Sequence, residues 1–353
     1  MTRGRKALLA VLALALAALL WLFLPPPWTP PATSARPALS RDDALERLRR
    51  LEARDDSVRL YPSCRTLVLD HGVKTPRAYV LLHGFTNCPR QFGTLARLLY
   101  DDGANVLVPR MPRHGIAHAP KSVLSDLTSA ELVETSGEAV DIARGLGDHV
   151  SVVGLSSSAV VAAWLAQHRA DIEQVLLIAP SFAPKYVPER LAVPLSNALL
   201  RVPDLFIPWD PEHKWPYGPK SAYAGFSAYA LARVYELGAH VLRTKPPARG
   251  TRVLIVTTPH DEGVNNGIAR DLAAGWAKRG ADVRSFEFPP AAWVHHDMID
   301  PEQPYERVAV VYPLLRAFLV TGRAPTLADS ATYGRGSTRA AAETRDQAGP
   351  APP

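Results

Sequence analysis

One short stretch, Val152-Val153-Gly154-Leu155-Ser156-Ser157-Ser158-Ala159, constrains the fold of this chain more than any other. A β-branched strand runs into small-x-Ser-x-small and then directly into an apolar helical pattern. A serine at such a turn is held on a strained tip, and the residues two before and two after it must be small so that strand and helix can approach each other. Gly154 and Ser158 meet that demand around Ser156. Ser157 would need a small residue where Leu155 stands, and Ser158 would need one where Val160 stands, so Ser156 is the candidate nucleophile.

A nucleophile on an elbow requires an orienting acid and a base, in the chain order Ser, Asp or Glu, His. The strand-like run Arg252 to Thr258 ends in Pro259-His260-Asp261-Glu262-Gly263-Val264. Asp261 is the preferred acid, because its short side chain loses less entropy in a loop and Glu262 is accounted for by the start of the next helix. After one more strand comes Trp293-Val294-His295-His296-Asp297. Neighbouring residues of an extended loop point in opposite directions, so one histidine alone can face Ser156. His296 is preferred over His295. The pair lacks a third ligand at metal-binding spacing, so no metal is expected.

An oxyanion hole takes two backbone N–H groups, one from the residue after the nucleophile and one from the loop after an earlier strand. Ser157 supplies the first. Phe85, in the run Val80-Leu81-Leu82-His83-Gly84-Phe85, supplies the second, with Gly84 allowing a tight bend. His83 precedes the nucleophile and reads as structural.

These residues together resemble the α/β-hydrolase superfamily, more narrowly its small bacterial carboxylesterases and monoacylglycerol-lipase-like members. The resemblance rests on Leu82-His83-Gly84-Phe85-Thr86, Pro112-Arg113-His114-Gly115, Gly154 to Ser158, Pro259 to Val264 and His295-His296-Asp297, and spans about residues 60 to 322. It implies an acyl-enzyme on Ser156, proton transfer by His296, orientation by Asp261, an oxyanion held by Phe85 and Ser157, and no cofactor. Arg113-His114-Gly115 is similar to the turn after the third pairing strand, near the pocket rim. The chain departs from the family at Ser158, where glycine is usual. An acyltransferase with the same triad, or a silent binding protein on the same scaffold, shares these features.

The remainder of the chain agrees with an α/β class. Buried strand-like runs at 65–70, 78–82, 105–109, 149–154, 174–179, 252–258 and 283–288 mostly alternate with helical patterns at 91–99, 129–146, 157–168, 265–278 and 305–320. That alternation predicts a largely parallel sheet covered on both faces. A hydrolase domain is expected over 58–322. The segment from about 181 to 249 interrupts the alternation and carries Trp215, Pro216, Tyr217, Tyr223, Phe226 and Tyr229. In a hydrolase fold it forms a cap, and its aromatic residues suit either an apolar pocket wall or ordinary core.

The N-terminus bears on compartment. Arg3, Arg5 and Lys6 precede 18 uncharged apolar residues from Ala7 to Leu24, a run of roughly 27 Å as a helix and close to a bilayer core. Residues 1–24 are expected to be a signal anchor or a cleaved signal peptide, the anchor being favoured because the run is long and Thr33-Ser34-Ala35 is a poor cleavage site. The leading positive charges keep the N-terminus cytoplasmic and place the hydrolase outside. Residues 25–57 are then a proline-rich spacer and linker, and 323–353, poor in large apolar residues, a disordered tail. Cys64 and Cys88 flank this first strand and oxyanion segment, and either form a disulfide bracing that loop or remain free thiols. The net charge of +6 is dispersed along the chain, which argues for anionic lipid rather than nucleic acid as a partner of the basic residues. The expected small-molecule partner is an ester or lipid substrate.

Overall fold

The aliphatic runs pair into one seven-stranded sheet of order β1-β3-β2-β4-β5-β8-β9. Its strands are β1 (Leu67–Leu69), β2 (Thr75–Leu82), β3 (Asn105–Val108), β4 (Gly147–Leu155), β5 (Gln174–Ile178), β8 (Arg252–Thr257) and β9 (Asp282–Glu287). A separate antiparallel pair is formed by β6 (Phe206–Pro208) and β7 (Gly225–Ser227). In the large sheet only β1 runs antiparallel to its neighbour. The computed structural model describes residues 3–24, 31, 33–209, 219–326 and 328–329.

The helices are α1 (Arg3–Phe23), α2 (Arg41–Asp56), α3 (Gly93–Asp101), α4 (Ser129–Leu146), α5 (Ser157–His168), α6 (Glu189–Leu199), α7 (Ala228–Arg243), α8 (Asn266–Lys278) and α9 (Val308–Thr321). Because side chains alternate across a strand, each central strand feeds two cores. Val80, Val152, Leu177 and Ile255 point into one, with residues of α4, α5, α7 and α8. Tyr79, Val153, Leu176 and Leu254 point into the other, with α3 and α9. Burial on both faces is why these strands read as continuous apolar runs. Each fully buried leucine or valine here contributes on the order of 1.5–3 kcal/mol.

Local chemistry sets the element boundaries near the site. Thr128 caps α4 with a reciprocal capping box to Glu131. The helix passes straight into β4 at Gly147, whose missing Cβ would fall 2.5 Å from the Ala78 backbone nitrogen. Helix α9 starts at Val308, three residues later than the sequence pattern suggests, leaving Tyr305 exposed in the preceding loop.

Two segments differ from the sequence reading. Residues 41–56, expected within the linker, form α2, capped by Ser40 and with Ala44, Leu48 and Leu51 buried. Gly145 of α4 receives it: a Cβ there would lie 2.6 Å from Ala44 Cβ and 2.7 Å from the Ser40 carbonyl. In the 181–249 insertion, α7 is not a covering element, since Val234, Leu237 and Val241 belong to the core beneath α5. The covering part is residues 181–227, with α6 and the β6–β7 pair, which reach that core through Phe182, Ala183, Ala192 and Phe226. Trp215, Pro216 and Tyr217, the prolines from Pro25 to Pro30, and residues 330–353 lie outside the described residues.

The helix α1 is the one described segment long and apolar enough to cross a membrane, over Gly4–Trp21, and none of that span is buried in the protein.

Candidate active site

At the end of β4 the chain turns through Ser156, which adopts φ 58° and ψ −116° before α5 begins. A positive φ at a residue bearing a Cβ is strained, of order 1–3 kcal/mol, and is sustained by its surroundings. Here the Ser156 N–H donates to the Ile178 carbonyl at 2.9 Å, and the Ser156 carbonyl accepts from Ser181 N at 3.1 Å. Gly154 makes the turn sterically feasible: a Cβ there would stand 2.3 Å from the Ser158 carbonyl oxygen and 2.8 Å from Ala159 Cα. Position 158 is less restricted. Its hydroxyl donates to the His83 carbonyl at 2.6 Å, tying the first turn of α5 to the strand that leads into the Phe85 loop.

Asp261 follows β8 and His296 lies in the loop after β9, and the sheet carries both to Ser156. His296 Nε2 is 2.9 Å from Ser156 Oγ, and Nδ1 is 2.7 Å from Asp261 Oδ2. With the proton on Nδ1 the ring donates to the carboxylate and accepts from the serine hydroxyl. Asp261 is buried; its other oxygen accepts from the N–H groups of Gly263 at 2.8 Å and Val264 at 2.9 Å. Burial resists its ionisation, but His296 and these two amides outweigh that cost and hold the carboxyl below its ordinary pKa. For His296 the balance is reversed in sign: burial disfavours the imidazolium, the Asp261 carboxylate more than compensates, and the pKa rises above the ordinary value.

The alternative residues form a second pair alongside. His295 Nδ1 sits 2.7 Å from Glu262 Oε1, on the partly exposed rim. The two adjacent histidines thus face the two adjacent carboxylates, and only His296 reaches the serine.

Among the described residues, neither Phe85 nor Ser157 spends its backbone N–H on a protein acceptor. Gly84 does not take a positive φ; the left-handed residue of this loop is Thr86, with φ 66°. Glycine is favoured at 84 by crowding, as a Cβ would lie 3.3 Å from both Gln91 Oε1 and Leu155 Cδ2. His83 is fully buried; its Nε2 accepts from Met111 N at 3.0 Å, and burial drives its pKa well down, so the ring is neutral. Gly115, φ 72°, leaves room for the disulfide between Cys64 and Cys88, since a Cβ there would come 2.5 Å from Cys64 Cβ. That bridge fastens the segment before β1 to the loop following Phe85.

Several contacts of the site are not specified by any sequence motif. Gln91 Oε1 accepts from the Gly84 N–H at 2.7 Å while its Nε2 donates to Asp297 Oδ2 at 2.9 Å, so one amide bridges the Phe85 loop and the His296 loop. Asp297 also accepts from Gln303 at 2.7 Å, and burial together with nearby Asp300 pushes its pKa up to about 6. Asp300, fully buried, pairs with Arg90 at 3.1 Å. On the cap side, Trp209 Nε1 donates to Thr86 Oγ1 at 2.7 Å and Tyr223 N donates to the Thr86 carbonyl at 2.9 Å. Thr86 stands in the run Leu82 to Thr86 and Asp297 in His295-His296-Asp297, but neither motif shows its partners; Gln91, Asp300 and Trp209 stand in no motif, because their partners lie far away in sequence.

Ser156 and His296 open into a cavity of about 1470 Å³, walled by Phe85, Phe206, Trp209 and Tyr223 and edged by Lys121 and Lys220. Its aromatic wall is continuous with the loop below, as Phe85 and Phe226 lie 5.7 Å apart, and Phe226 and Trp209 4.4 Å. Among the described residues no group of three or more His, Cys, Asp or Glu side chains is placed to hold a metal ion.

A parallel sheet with a strained serine on the strand-to-helix turn and a histidine and carboxylate on later loops defines the class of hydrolase-fold proteins. The profile of the alpha/beta hydrolase family matches residues 79–311, and the chain belongs to that family. Among solved structures it is similar to a monoglyceride lipase from Saccharomyces cerevisiae, a soluble variant bound to a substrate analogue, with a TM-score of 0.54 at 12% identity, covering 76% of this chain and 92% of that one. It is also similar to a member of the LipS and LipT pair of metagenome-derived lipolytic enzymes, with TM-score 0.53, 19% identity and coverage of 68% and 91%. A third is Est1E from Butyrivibrio proteoclasticus with ferulic acid bound, at TM-score 0.50, 16% identity and coverage of 73% and 94%. At these identities the likeness is one of fold. No curated protein matches the chain by sequence.

Proposed function

We propose that this protein is a serine hydrolase that cleaves carboxylic esters through an acyl-enzyme, with Ser156 as nucleophile, His296 as general base and acid, Asp261 as its orienting partner, and the N–H groups of Phe85 and Ser157 as the oxyanion hole. The observation that carries the reading is the continuous relay from Ser156 Oγ to His296 at 2.9 Å and on to Asp261 at 2.7 Å, on a strained turn that opens into an apolar-walled cavity.

In the first half-reaction the Ser156 oxygen bonds to the ester carbonyl carbon as its proton passes to His296 Nε2. The carbonyl oxygen becomes an oxyanion facing the two amides. Loss of one such donor costs on the order of 3 kcal/mol of transition-state stabilisation. On collapse, His296 returns the proton to the departing alkoxide, releasing the alcohol and leaving an acyl-serine. Water then attacks that carbonyl, giving its proton to His296, and collapse expels the carboxylic acid while Ser156 recovers its hydrogen. Asp261 holds the ring in the tautomer that this shuttle uses and stabilises the imidazolium.

The cavity and its aromatic wall support a substrate with an apolar acyl or alcohol moiety. The apolar helix over Gly4–Trp21, with Arg3, Arg5 and Lys6 at its N-terminal end, supports anchoring in a membrane with the hydrolase domain outside the cytoplasm, and the Cys64–Cys88 disulfide suits an oxidising compartment.

The test is labelling with a fluorophosphonate followed by peptide mapping and an ester screen. Label at Ser156 that is lost in His296→Ala, together with loss of turnover in a folded Ser156→Ala, is the expected result. Turnover persisting in Ser156→Ala would sink the assignment.

A further inference from the structure

Beyond residue 24, six of the eleven large exposed hydrophobic side chains among the described residues fall in one 24-residue stretch of the cap: Tyr186, Leu191, Leu195, Leu205, Ile207 and Trp209. Helix α6 is inverted relative to a helix that faces water. Its buried positions are Ala192, Ser196 and Asn197, whereas Leu191 and Leu195 are 50% and 39% exposed. A soluble surface helix turns its apolar stripe inward, so this face is unexplained by the packing of the domain itself.

Three further observations give the occupant. First, the cap lies against α1, where the Arg201 guanidinium sits over the Trp21 ring, 4.8 Å from its centroid. Trp21 lies in the last turn of the apolar run Ala7 to Leu24, close to the depth at which tryptophan settles between hydrocarbon and headgroups. Contact at Trp21 therefore sets α6 and its following turn at headgroup level. Second, the cations of this face rest on aromatic rings, Lys185 over Tyr186 at 5.7 Å and Lys121 over Phe206 at 5.2 Å. Long cationic side chains lying along apolar surface, with the charge at the edge, match an interface of acyl chains and anionic headgroups. Third, the patch is continuous with the cavity: Trp209 belongs to both, and the neighbouring Phe206 and Pro208 line the mouth.

We propose that the cap face formed by α6 and the β6 segment lies on the surface of the bilayer that α1 enters, an anionic phospholipid surface, so that the cavity opens at the lipid headgroups and takes its substrate from the membrane. The proposal rests on the reading of α1 as a membrane-spanning segment. It follows that the substrate is an amphiphile whose ester lies near headgroup depth.

The experiment uses the full chain in vesicles of phosphatidylglycerol and phosphatidylethanolamine. The two native cysteines are joined to each other, so a single thiol in Leu195→Cys, or in Val73→Cys on an exposed loop remote from the cap, takes an environment-sensitive fluorophore selectively. Blue-shifted emission and quenching by nitroxide-bearing lipid are expected at position 195 and not at 73. No quenching at 195 in protein that resists carbonate extraction would overturn the docking and leave anchoring intact. Quenching at 195 in protein that carbonate releases would overturn the reading of α1, and with it the proposal as stated, while showing that the face meets lipid without the anchor. A protected, unquenched 195 with a doubled mass in detergent would mean a second copy covers the face, and also overturns the proposal. In activity, Leu191→Glu with Leu195→Glu should lower hydrolysis of a long-chain ester embedded in vesicles about tenfold, the ratio that ~1.4 kcal/mol represents, and leave a short soluble ester unaffected. Equal loss on both substrates would show that the face serves the fold instead.

Discussion

Replacing Gly154 by alanine tests the elbow at its tightest point. The new methyl carbon would lie 2.3 Å from the Ser158 carbonyl oxygen, 2.7 Å from the Ser158 carbonyl carbon and 2.8 Å from Ala159 Cα. Carbon contacts become comfortable at about 3.5 Å, so the start of α5 must recede by roughly 1 Å, and no flexible side chain can absorb the displacement because all three atoms are backbone. That same turn carries Ser156, the Ser157 amide and the Ser158 hydroxyl bonded to His83 at 2.6 Å. The expected cost is about 1–3 kcal/mol of stability from overpacking. A misplacement of this size at the reacting oxygen costs on the order of 100-fold in rate. The assay is kcat/KM on a chromogenic ester and the rate of fluorophosphonate inactivation, with circular dichroism melting to separate misplacement from unfolding. Gly275→Ala in α8 is the control: nothing stands within 4 Å of its Cβ, and removing a mid-helix glycine should stabilise by roughly 0.5–1 kcal/mol without touching activity. Wild-type kinetics and melting in Gly154→Ala would refute the steric argument.

The remaining predictions concern protons and the disulfide. His296 must be neutral to accept the serine proton, so with its pKa raised the acid limb of kcat/KM should lie above the ordinary histidine value; Asp261→Asn should move the limb down and cut kcat by about 10⁴, and an unmoved limb would exclude Asp261 as the cause. Stability runs the other way: the fold favours protonated His296, so its contribution is complete below the unfolded pKa and fades as pH rises through the folded one. Melting temperature against pH, wild type beside His296→Ala, should show this difference. Opening the Cys64–Cys88 bridge by paired serine substitution removes a loop constraint of 24 residues, worth ~3.5 kcal/mol on a chain-entropy basis; an unchanged denaturation midpoint would contradict it.

What was legible in the sequence was whatever one segment specifies for itself. Gly154, Ser156 and the boundaries of α4 and α5 follow from local spacing, capping and periodicity, and the parallel sheet follows from alternation of apolar runs. The hidden parts depend on partners distant in the chain. Helix α2 is dominated by charged residues and has a thin stripe of Ala44, Leu48 and Leu51, which becomes meaningful only opposite Gly145. The core role of α7 was masked by aromatic residues elsewhere in the same insertion. Gln91 is an ordinary polar residue until β9 delivers Asp297 beside it. Gly84 opens a tight turn, its carbonyl accepting from Asn87 N at 3.3 Å, while the left-handed residue of that turn is Thr86 and what favours glycine at 84 is crowding by Gln91 and Leu155.

The placement of His296 beyond β9, the outermost strand of the sheet and the last to appear in the chain, has a consequence for biogenesis. The Phe85 loop, Ser156 and Asp261 precede it by 35 to about 210 residues. A chain that ends between Glu287 and His296 holds all seven strands of the large sheet but lacks the proposed base. On the proposed roles, hydrolysis is expected only from chains that extend past His296 and include α9, whose Leu314, Leu315, Phe318 and Leu319 are buried against one face of the sheet.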